Sequence, residues 1–344
     1  MGAAASARAS TKMRNLHPPK MKKLLLLPLL VVACLVGDTS FRAIATTAPT
    51  VTDSTLSNIS TRAFVQTGDN VVIGGFIVER AQPKFSPAPP KRVIIRAIGP
   101  ELTQYGIPNA LANPTLELYD VTGALIASNN NWATTIIGGI ITSNQVHEIQ
   151  ASGYAPSDPF ESAIIADLPA GSYTAIVRGL NNTTGVALVE VYVLSPETSL
   201  ILGDLSTRGY VQTGDNVMIG GFTIPGTKPK GIILRAIGPE LSKYGIPNPL
   251  ADPALELYDS MGALIASNDN WQNTAIGGII AADQVREILI NEVAPTDRNE
   301  SVINATLPPG NYTAIVRGVN NTTGVALTGR SSGKSHLYLD RCSR

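Results

Sequence analysis

The side chains best suited to chemistry are acidic residues and asparagines on two loops in the later half of the sequence. Asn268, Asp269 and Asn270 follow one another on the first loop, and Asp297 and Glu300 lie on the second. Calcium takes about six to eight oxygen ligands from carboxylates, amides and backbone carbonyls. The two loops therefore predict a calcium site formed by these five residues.

An equivalent pair of loops occurs 139 residues earlier and contains Asn130, Asp158 and Glu161 at matching positions. Asn130 stands where the later pair has Asp269, which removes one negative charge. We therefore expect the earlier site to bind calcium less tightly than the later one. The alternative, which stays open, is that these residues only form turns and hydrogen-bond to nearby backbone.

The two tryptophans of the chain, Trp132 and Trp271, directly follow the first loop of each pair. An exposed indole could stack on a sugar ring of a carbohydrate ligand. A buried indole would instead anchor the fold. Because each half keeps one tryptophan at the same place, anchoring is the preferred interpretation and ligand binding the alternative.

Groups for catalysis are few. Arg286 occupies the position that matches His147, so a histidine-based mechanism shared by the two halves is excluded. Both cysteines, at positions 34 and 342, lie outside the repeated parts. Glu117 and Asp120 recur in the later half, but they fall on one strand and its turn, where outward polar residues are ordinary. The sequence predicts a protein that is not an enzyme.

Charge excludes another class of function. Lys and Arg number 26 and Asp and Glu also number 26, so no electrostatic case for nucleic-acid binding exists. Arg96 and Arg235 interrupt matching apolar strands. The preferred interpretation is that each arginine pairs with a carboxylate or reaches the strand edge, and ligand binding is the alternative.

The elements that position these residues are repeated as well. Residues 60–76 recur at 206–222, and short apolar runs separated by turn residues follow in the same order in both halves. Each copy shows about eight strand patterns and one short helical pattern, at 143–149 and 282–289. We predict an all-β protein with two tandem antiparallel β-sandwich domains, jelly-roll-like or immunoglobulin-like, each with one short helix.

The repeat sets the predicted domain boundaries. Copy one covers residues 56–196, a linker covers 197–201 and copy two covers 202–327. The resemblance between the copies stops after Leu327, so residues 328–344 are predicted to be an atypical tail that replaces most of the closing strand of copy two. Such a loss would leave backbone groups unpaired and make copy two the weaker domain.

The first 45 residues have the character of an export signal. Lys-Met-Lys-Lys at 20–23 precedes the apolar run 24–37, which is too short to span a bilayer. Cleavage could follow Ala43-Ile-Ala45, or Val31-Val-Ala-Cys34 could act as a bacterial lipobox with a lipid on Cys34. A Thr-rich spacer is predicted at 46–55. We expect export to the outside or the outer surface of a bacterial cell.

Several segments of copy two resemble the bacterial pre-peptidase C-terminal domain, a jelly-roll-like β-sandwich module of secreted proteins. The matching segments are Asp252-Pro-Ala-Leu-Glu-Leu-Tyr-Asp259, Gly262-Ala-Leu-Ile-Ala-Ser-Asn-Asp269, Leu307-Pro-Pro-Gly-Asn-Tyr-Thr-Ala-Ile-Val316 and the run that begins at Gly324. The resemblance covers about the last two thirds of each copy. The opening of each copy is more similar to an uncharacterised repeat of large exported proteins of environmental bacteria. The resemblance implies an accessory, binding or packing role without catalytic residues.

These observations predict a non-enzymatic, exported or cell-surface pair of modules that binds matrix or polysaccharide or serves as a spacer. Two alternatives stay open. The pair could be the accessory segment of a secreted hydrolase whose catalytic part is absent here, or it could be a carbohydrate-binding module. Expected partners are extracellular polysaccharide or a cell-surface protein, with membrane contact only through the signal peptide or a lipid anchor. Calcium is the one cofactor that the sequence suggests.

Overall fold

The repeated strand patterns form antiparallel β-structure in the computed structural model, which describes residues 58–80, 89–134, 145–195, 200–273, 277 and 284–331. Copy one contributes β1 (Asn58–Val65), β2 (Val72–Arg80), β3 (Lys91–Ile98), β4 (Pro114–Tyr119), β5 (Leu125–Asn129), β6 (Ser162–Leu168), β7 (Gly171–Gly179) and β8 (Gly185–Val193). Copy two contributes β9 (Leu200–Val211), β10 (Met218–Ile224), β11 (Lys230–Ile237), β12 (Pro253–Tyr258), β13 (Leu264–Asn268), β14 (Ser301–Leu307), β15 (Gly310–Gly318) and β16 (Gly324–Ser331).

Helical structure is confined to short segments in the described residues. One α-helix occurs in each copy, α1 (Gln145–Ala151) and α2 (Gln284–Ile290). A 3-10 helix follows the third strand of each copy, at Pro100–Tyr105 and Pro239–Tyr244. No helix among the described residues is long and apolar enough to cross a bilayer.

Alternation of apolar and polar residues explains why these segments are strands. In β4, Leu116 and Leu118 are buried while their neighbours are partly exposed, and β12 shows the same pattern. Successive side chains of a strand point to opposite faces, so this period of two places one face in a core. The turn between β1 and β2 contains Gly68, whose φ of 62° lies in the left-handed region that glycine adopts readily.

Each copy supplies two four-stranded sheets. In copy one the strand orders are β6-β3-β8-β1 and β5-β4-β7-β2, and copy two repeats both orders with its own strands. All of these pairs are antiparallel. The prediction of an all-β antiparallel sandwich with one short α-helix in each copy is confirmed.

The two copies are joined through their sheets. Strand β1 pairs with β10 of copy two, and β9 pairs with β2 of copy one. The registers are reciprocal, since Ile59 lies opposite Phe222 and Leu205 lies opposite Phe76. The result is two continuous eight-stranded sheets, and each contains four strands of copy one and four strands of copy two.

A pseudo-twofold axis passes between the first strands of the copies. The hydroxyl oxygens of Thr61 and Thr207, equivalent residues 146 positions apart, are 2.9 Å from each other. Phe64 of β1 lies opposite Tyr210 of β9 close by. The same chain segment therefore meets its own repeat at the centre of the molecule.

One large hydrophobic core includes residues of both copies. Phe76 stacks on Tyr173 with ring centres 5.6 Å apart, and Phe222 stacks on Tyr312 at 5.5 Å. The described residues of the two copies accordingly form a single compact unit. Burial across the junction adds to the free energy of unfolding because it removes apolar surface of both copies from water.

The glycine pair in the second strand of each copy lies at this junction. Gly74 and Gly75 stand opposite Thr207 and Ser206. In the reciprocal strand, a Cβ atom on Gly221 would come within 2.7 Å of the Ser60 hydroxyl oxygen. Glycine at position 221 therefore leaves room for a side chain of the other copy.

The structure differs from the sequence prediction at two domain boundaries. Strand β9 begins at Leu200, inside the segment 197–201 predicted to be a linker. Strand β16 continues to Ser331, with Arg330 opposite Leu205 and Ser331 opposite Ile233. The expectation that copy two lacks most of its closing strand is therefore wrong, because main-chain pairing does not require the side chains of copy one.

The leader 1–45, the spacer 46–55, Cys34 and the tail after residue 331 lie outside the described residues. Export, signal cleavage and lipidation of Cys34 therefore stay predictions.

Candidate functional site

The centre of the candidate site is a buried glutamate at the start of β6 and β14. In copy two, Glu300 is fully buried, and its carboxylate accepts hydrogen bonds from the backbone N–H groups of Gly238 (2.6 Å) and Glu240 (2.8 Å). In copy one, Glu161 accepts from Gly99 and Glu101 at the same distances. Each glutamate thus fastens the start of a 3-10 helix, where backbone donors lack partners of their own.

These two carboxylates have unusual acid–base properties. Burial raises the pKa of Glu300 to about 7, and the hydrogen bonds from Glu240 and Gly238 oppose that rise. The pKa of Glu161 is also raised to about 7, again because of burial. The nearby carboxylates Asp297 and Asp158 add to the increase. Both glutamates therefore change charge close to neutral pH.

The tryptophans are tied to the same loops. The backbone N–H of Trp271 donates to the carbonyl of Glu300 (2.8 Å), and its indole N–H donates to the carbonyl of Asp297 (3.0 Å). Trp132 makes the same two bonds at the same distances. Trp271 is only 6% exposed and packs in a small cluster with Ile233, whereas Trp132 is half-buried. This burial favours the anchoring interpretation over a sugar platform in copy two.

The asparagine that ends the hairpin also holds the site together. The side-chain oxygen of Asn268 accepts from the backbone N–H of Val302 (2.9 Å), and its amide donates to the carbonyl of Asn270 (3.0 Å). The Ser301 hydroxyl donates to the carbonyl of Asn268 (2.8 Å). Asn129 has the equivalent role in copy one, bonded to Ala163.

Other predicted calcium ligands lie nearer the surface. Asp297 and Asp158 each accept from the backbone N–H two residues later, an Asx turn at 2.9 Å in both copies. Asp269 and Asn130 are exposed, and Asn270 is partly exposed. The structure brings the two loops of each copy together, as the sequence predicts, but most of these polar groups bond to their own loops.

Sequence reasoning missed Asp252, which precedes β12 beside these loops. Its pKa is raised by burial and by the neighbouring charges of Asp269 and Asp297. One of its carboxylate oxygens is buried without a hydrogen-bond partner, and so are the side-chain oxygens of Asn113 and Asn131 in copy one. The sequence offered one signal for this residue: copy two has Asp252 where copy one has Asn113. Copy two thus carries two acids, Asp252 and Asp269, at positions where copy one has asparagine.

The fit of this site to calcium is incomplete. Both oxygens of Glu300 and of Glu161 already accept backbone N–H groups. Within the described parts of the chain, no group of three or more His, Cys, Asp or Glu side chains is placed to hold a metal ion. The unpartnered oxygen of Asp252 is the atom best suited to a cation. Calcium binding stays a prediction. The two glutamates stabilise their loops through hydrogen bonds to backbone N–H groups.

The arginine of the third strand is paired in copy one. Arg96 donates from Nε to Glu190 (3.0 Å), forms an ion pair with the same carboxylate through Nη2, and donates from Nη1 to the carbonyl of Tyr154 (3.0 Å). Burial alone would lower the pKa of Arg96, but the Glu190 charge raises it overall. The predicted pairing of Arg96 with a carboxylate is confirmed.

Glu117 and its repeat Glu256, considered above as catalytic carboxylates, form cross-strand ion pairs. Glu256 accepts from Arg317 (3.2 Å) and from the hydroxyl of Tyr258 (2.8 Å). Glu117 accepts from Arg178 (3.5 Å) in the same arrangement. These contacts link neighbouring strands.

An apolar gap of about 10 Å³ lies beside the junction, between residues such as Phe76 and Val189. It has room for about one water molecule.

Comparison with known proteins gives little. No family model matches the sequence, and no curated protein matches it. The chain is similar to a DUF4785 family protein from Legionella pneumophila, with 10% identity, a TM-score of 0.23 and coverage of 86% of this chain and 70% of that chain. It is also similar to the STIV MCP, with 12% identity, a TM-score of 0.20 and coverage of 79% and 96%. Similarity at this level supports no statement about function.

Proposed function

We propose that this chain is a non-enzymatic, exported pair of β-sandwich modules that acts outside a bacterial cell, binding extracellular polysaccharide or a surface protein and holding it at a fixed distance. The proposal combines the leader sequence, the resemblance to secreted accessory modules and one structural observation. That observation is the sharing of both sheets between the copies.

Shared sheets favour a rigid spacer. Tandem domains joined by a short linker usually move relative to each other. Here the reciprocal pairing of β1 with β10 and of β9 with β2 places main-chain hydrogen bonds across the junction. Eight strands at the usual spacing give a sheet about 34 Å across without a hinge.

The repeated polar side chains also support a structural role. Glu161, Glu300 and both tryptophan indoles bond to backbone groups of neighbouring loops in the same way in both copies. Side chains used in this way stabilise loops that can present a binding surface. The accessory segment of a larger hydrolase is compatible with the same properties.

The test combines location and binding. The full chain, with a tag inserted in the surface turn at Gly226, would be expressed in a bacterium, and intact cells, periplasm and medium would be separated. We expect the protein outside the cytoplasm and in the pellet with insoluble extracellular polysaccharide. Retention in the cytoplasm would contradict the proposal, and release of sugars or peptides by the purified chain would contradict its non-enzymatic part. Export without pelleting would support the spacer role over binding.

A further inference from the structure

Arg235 in copy two has lost the partners that Arg96 has in copy one. Beside Arg96, the carboxylate of Glu190 also accepts from the hydroxyl of Tyr192 (2.8 Å), and the guanidinium lies 5.4 Å from the Tyr192 ring centre. The Tyr154 ring packs on Tyr192 with centres 4.5 Å apart. The guanidinium in copy one is thus surrounded by one carboxylate and two phenol rings.

The matching positions in copy two carry none of these groups. Gly329 stands opposite Arg235 in β16, as Glu190 stands opposite Arg96 in β8. Ser331 replaces Tyr192 and Val293 replaces Tyr154. Among the described residues, the guanidinium of Arg235 donates no hydrogen bond and forms no ion pair. Copy two therefore keeps the cation but not the anion that balances it.

Arg235 lies on the face of β11 that carries two separate apolar clusters. Ile233 and Ile237 lie on the same strand face as Arg235, two residues to either side. Ile233 packs in a cluster with Trp271 and Val293, whereas Ile237 packs in a separate cluster beside the 3-10 helix. Arg235 lies between the two clusters and is only partly exposed.

The charges around Arg235 do not replace the lost carboxylate. Burial lowers its pKa, and Glu240, Glu300 and Tyr244 act against that decrease from beyond ion-pair distance. Glu300 is committed to two backbone N–H groups. A partly buried guanidinium without a close anion is costly, and its planar fork matches a carboxylate.

We propose that Arg235 binds a carboxylate supplied by an external ligand, in the place that the Glu190 carboxylate takes in copy one. The inference deepens the binding role given under Proposed function and names its chemistry: an acidic polysaccharide whose uronate groups reach the guanidinium of Arg235. Copy one cannot offer this site, since its own glutamate fills it. The other source of the same group is Asp340 of this chain, and the experiment separates the two.

The experiment follows the Nε–H signal of Arg235 by NMR in the full chain at pH 7 and low salt. An oligomer of galacturonic acid is titrated, with the neutral galactose oligomer as its matched probe. We expect a saturable shift with the acidic oligomer only. Because Arg235→Gln lacks this signal, its binding is measured by calorimetric titration beside wild type, and it should be at least about tenfold weaker through the loss of a charge-assisted hydrogen-bonded pair. Arg317→Gln removes an equal charge elsewhere in copy two and should leave binding unchanged.

Several outcomes would overturn the inference. These are an unresponsive Arg235 signal in the wild-type chain, an equal response to the neutral oligomer, or binding that survives Arg235→Gln. A response that emerges only in Asp340→Asn would assign the site to the chain's own carboxylate and also refute an external ligand. If Arg235→Gln does not fold, Arg235→Lys replaces it, and the wild-type titration still decides. If Arg235→Gln pellets with polysaccharide as well as wild type does, the site at Arg235 is refuted and the proposed function is not.

Discussion

Copy one and copy two agree closely in strand pairing and in the hydrogen bonds of their loops, and they differ in the charged side chains of their closing strands. The hydrogen bonds of Glu161 and Glu300 to the 3-10 helices have identical lengths, and so do those of the two indoles. The closing strands differ, with Glu190 in copy one and Gly329 in copy two. Strand pairing and the loop hydrogen bonds are therefore the same in both copies, whereas the partly buried ion pair at the closing strand is present only in copy one.

Ion pairs follow the same division. The cross-strand pairs Arg178–Glu117 and Arg317–Glu256 occur in both copies. Arg92, which pairs with Glu148 and Asp167 in copy one, corresponds to a glycine in copy two. Copy two has thus lost charged partners at several places without losing its strands.

The largest effect is expected when the copies are separated. An isolated copy one, residues 56–199, would leave β1 and β2 without the strands β10 and β9. Because the copies are repeats, a second molecule of copy one can provide the same pairing, so we expect a homodimer rather than a monomer. Light scattering after gel filtration would measure the mass.

A matched variant makes this prediction sharper. Thr61 is buried where the first strands meet, so Thr61→Lys would place a charge at the junction and should give monomers. A wild-type copy one that is monomeric and fully stable would show that the shared sheets are not needed.

Much of the fold could be predicted from the sequence because it follows local patterns. The period of two in β4 and β12, the turn at Gly68 and the short helices all depend on neighbouring residues. Sheet sharing could not, since the side-chain pattern of β1 is the same whether its edge is free or meets β10. The extension of β16 to Ser331 was also hidden, because backbone pairing tolerates Thr328 and Gly329.

The candidate site was predicted in part for a similar reason. Loop residues such as Asn268 and Asp297 stand out by type, and the structure brings their loops together. The partners of Glu300 are backbone groups of Gly238 and Glu240, which no side-chain pattern identifies. Their role became visible only with the tertiary fold.

The next effect compares the two tryptophans. Trp271→Ala should lower the free energy of unfolding by about 3–5 kcal/mol, as expected when a buried Trp is truncated. Trp132→Ala should cost less, because Trp132 is only half-buried. Chemical denaturation of the full-length variants would measure both. Trp271→Phe serves as control, since it keeps a ring but loses the bond to Asp297. Equal costs for the two alanine variants would contradict the difference in burial.

A smaller effect should appear in the pH dependence of stability. The pKa of Glu300 is about 7 in the folded chain and 4.5 for an ordinary glutamate. The folded state therefore holds a proton that the unfolded state releases, so this contribution to stability is complete below about pH 4.5 and is lost as the pH rises through 7. It is on the order of 3 kcal/mol.

Glu300→Gln should remove that dependence while costing about 1–3 kcal/mol through an unsatisfied backbone N–H. Its deficit relative to wild type should therefore shrink between pH 4.5 and 7.5, and Glu161→Gln should behave alike. Urea denaturation at several pH values would show this. A deficit that grows with pH would mean that the hydrogen bonds outweigh burial and keep Glu300 charged.

The smallest effect tests the acids gained in copy two. Asp252 is repelled by Asp269 and Asp297, and its copy-one equivalent is the neutral Asn113. Without divalent ions, Asp252→Asn should stabilise the chain by less than about 1 kcal/mol, since solvent screens these charges. If calcium binds here, millimolar calcium should raise the melting temperature of wild type more than that of Asp252→Asn. Asn113→Asp is the reciprocal variant and should be slightly destabilising without calcium. A melting temperature of wild type that calcium leaves unchanged would refute the calcium prediction and leave these loops a purely structural role.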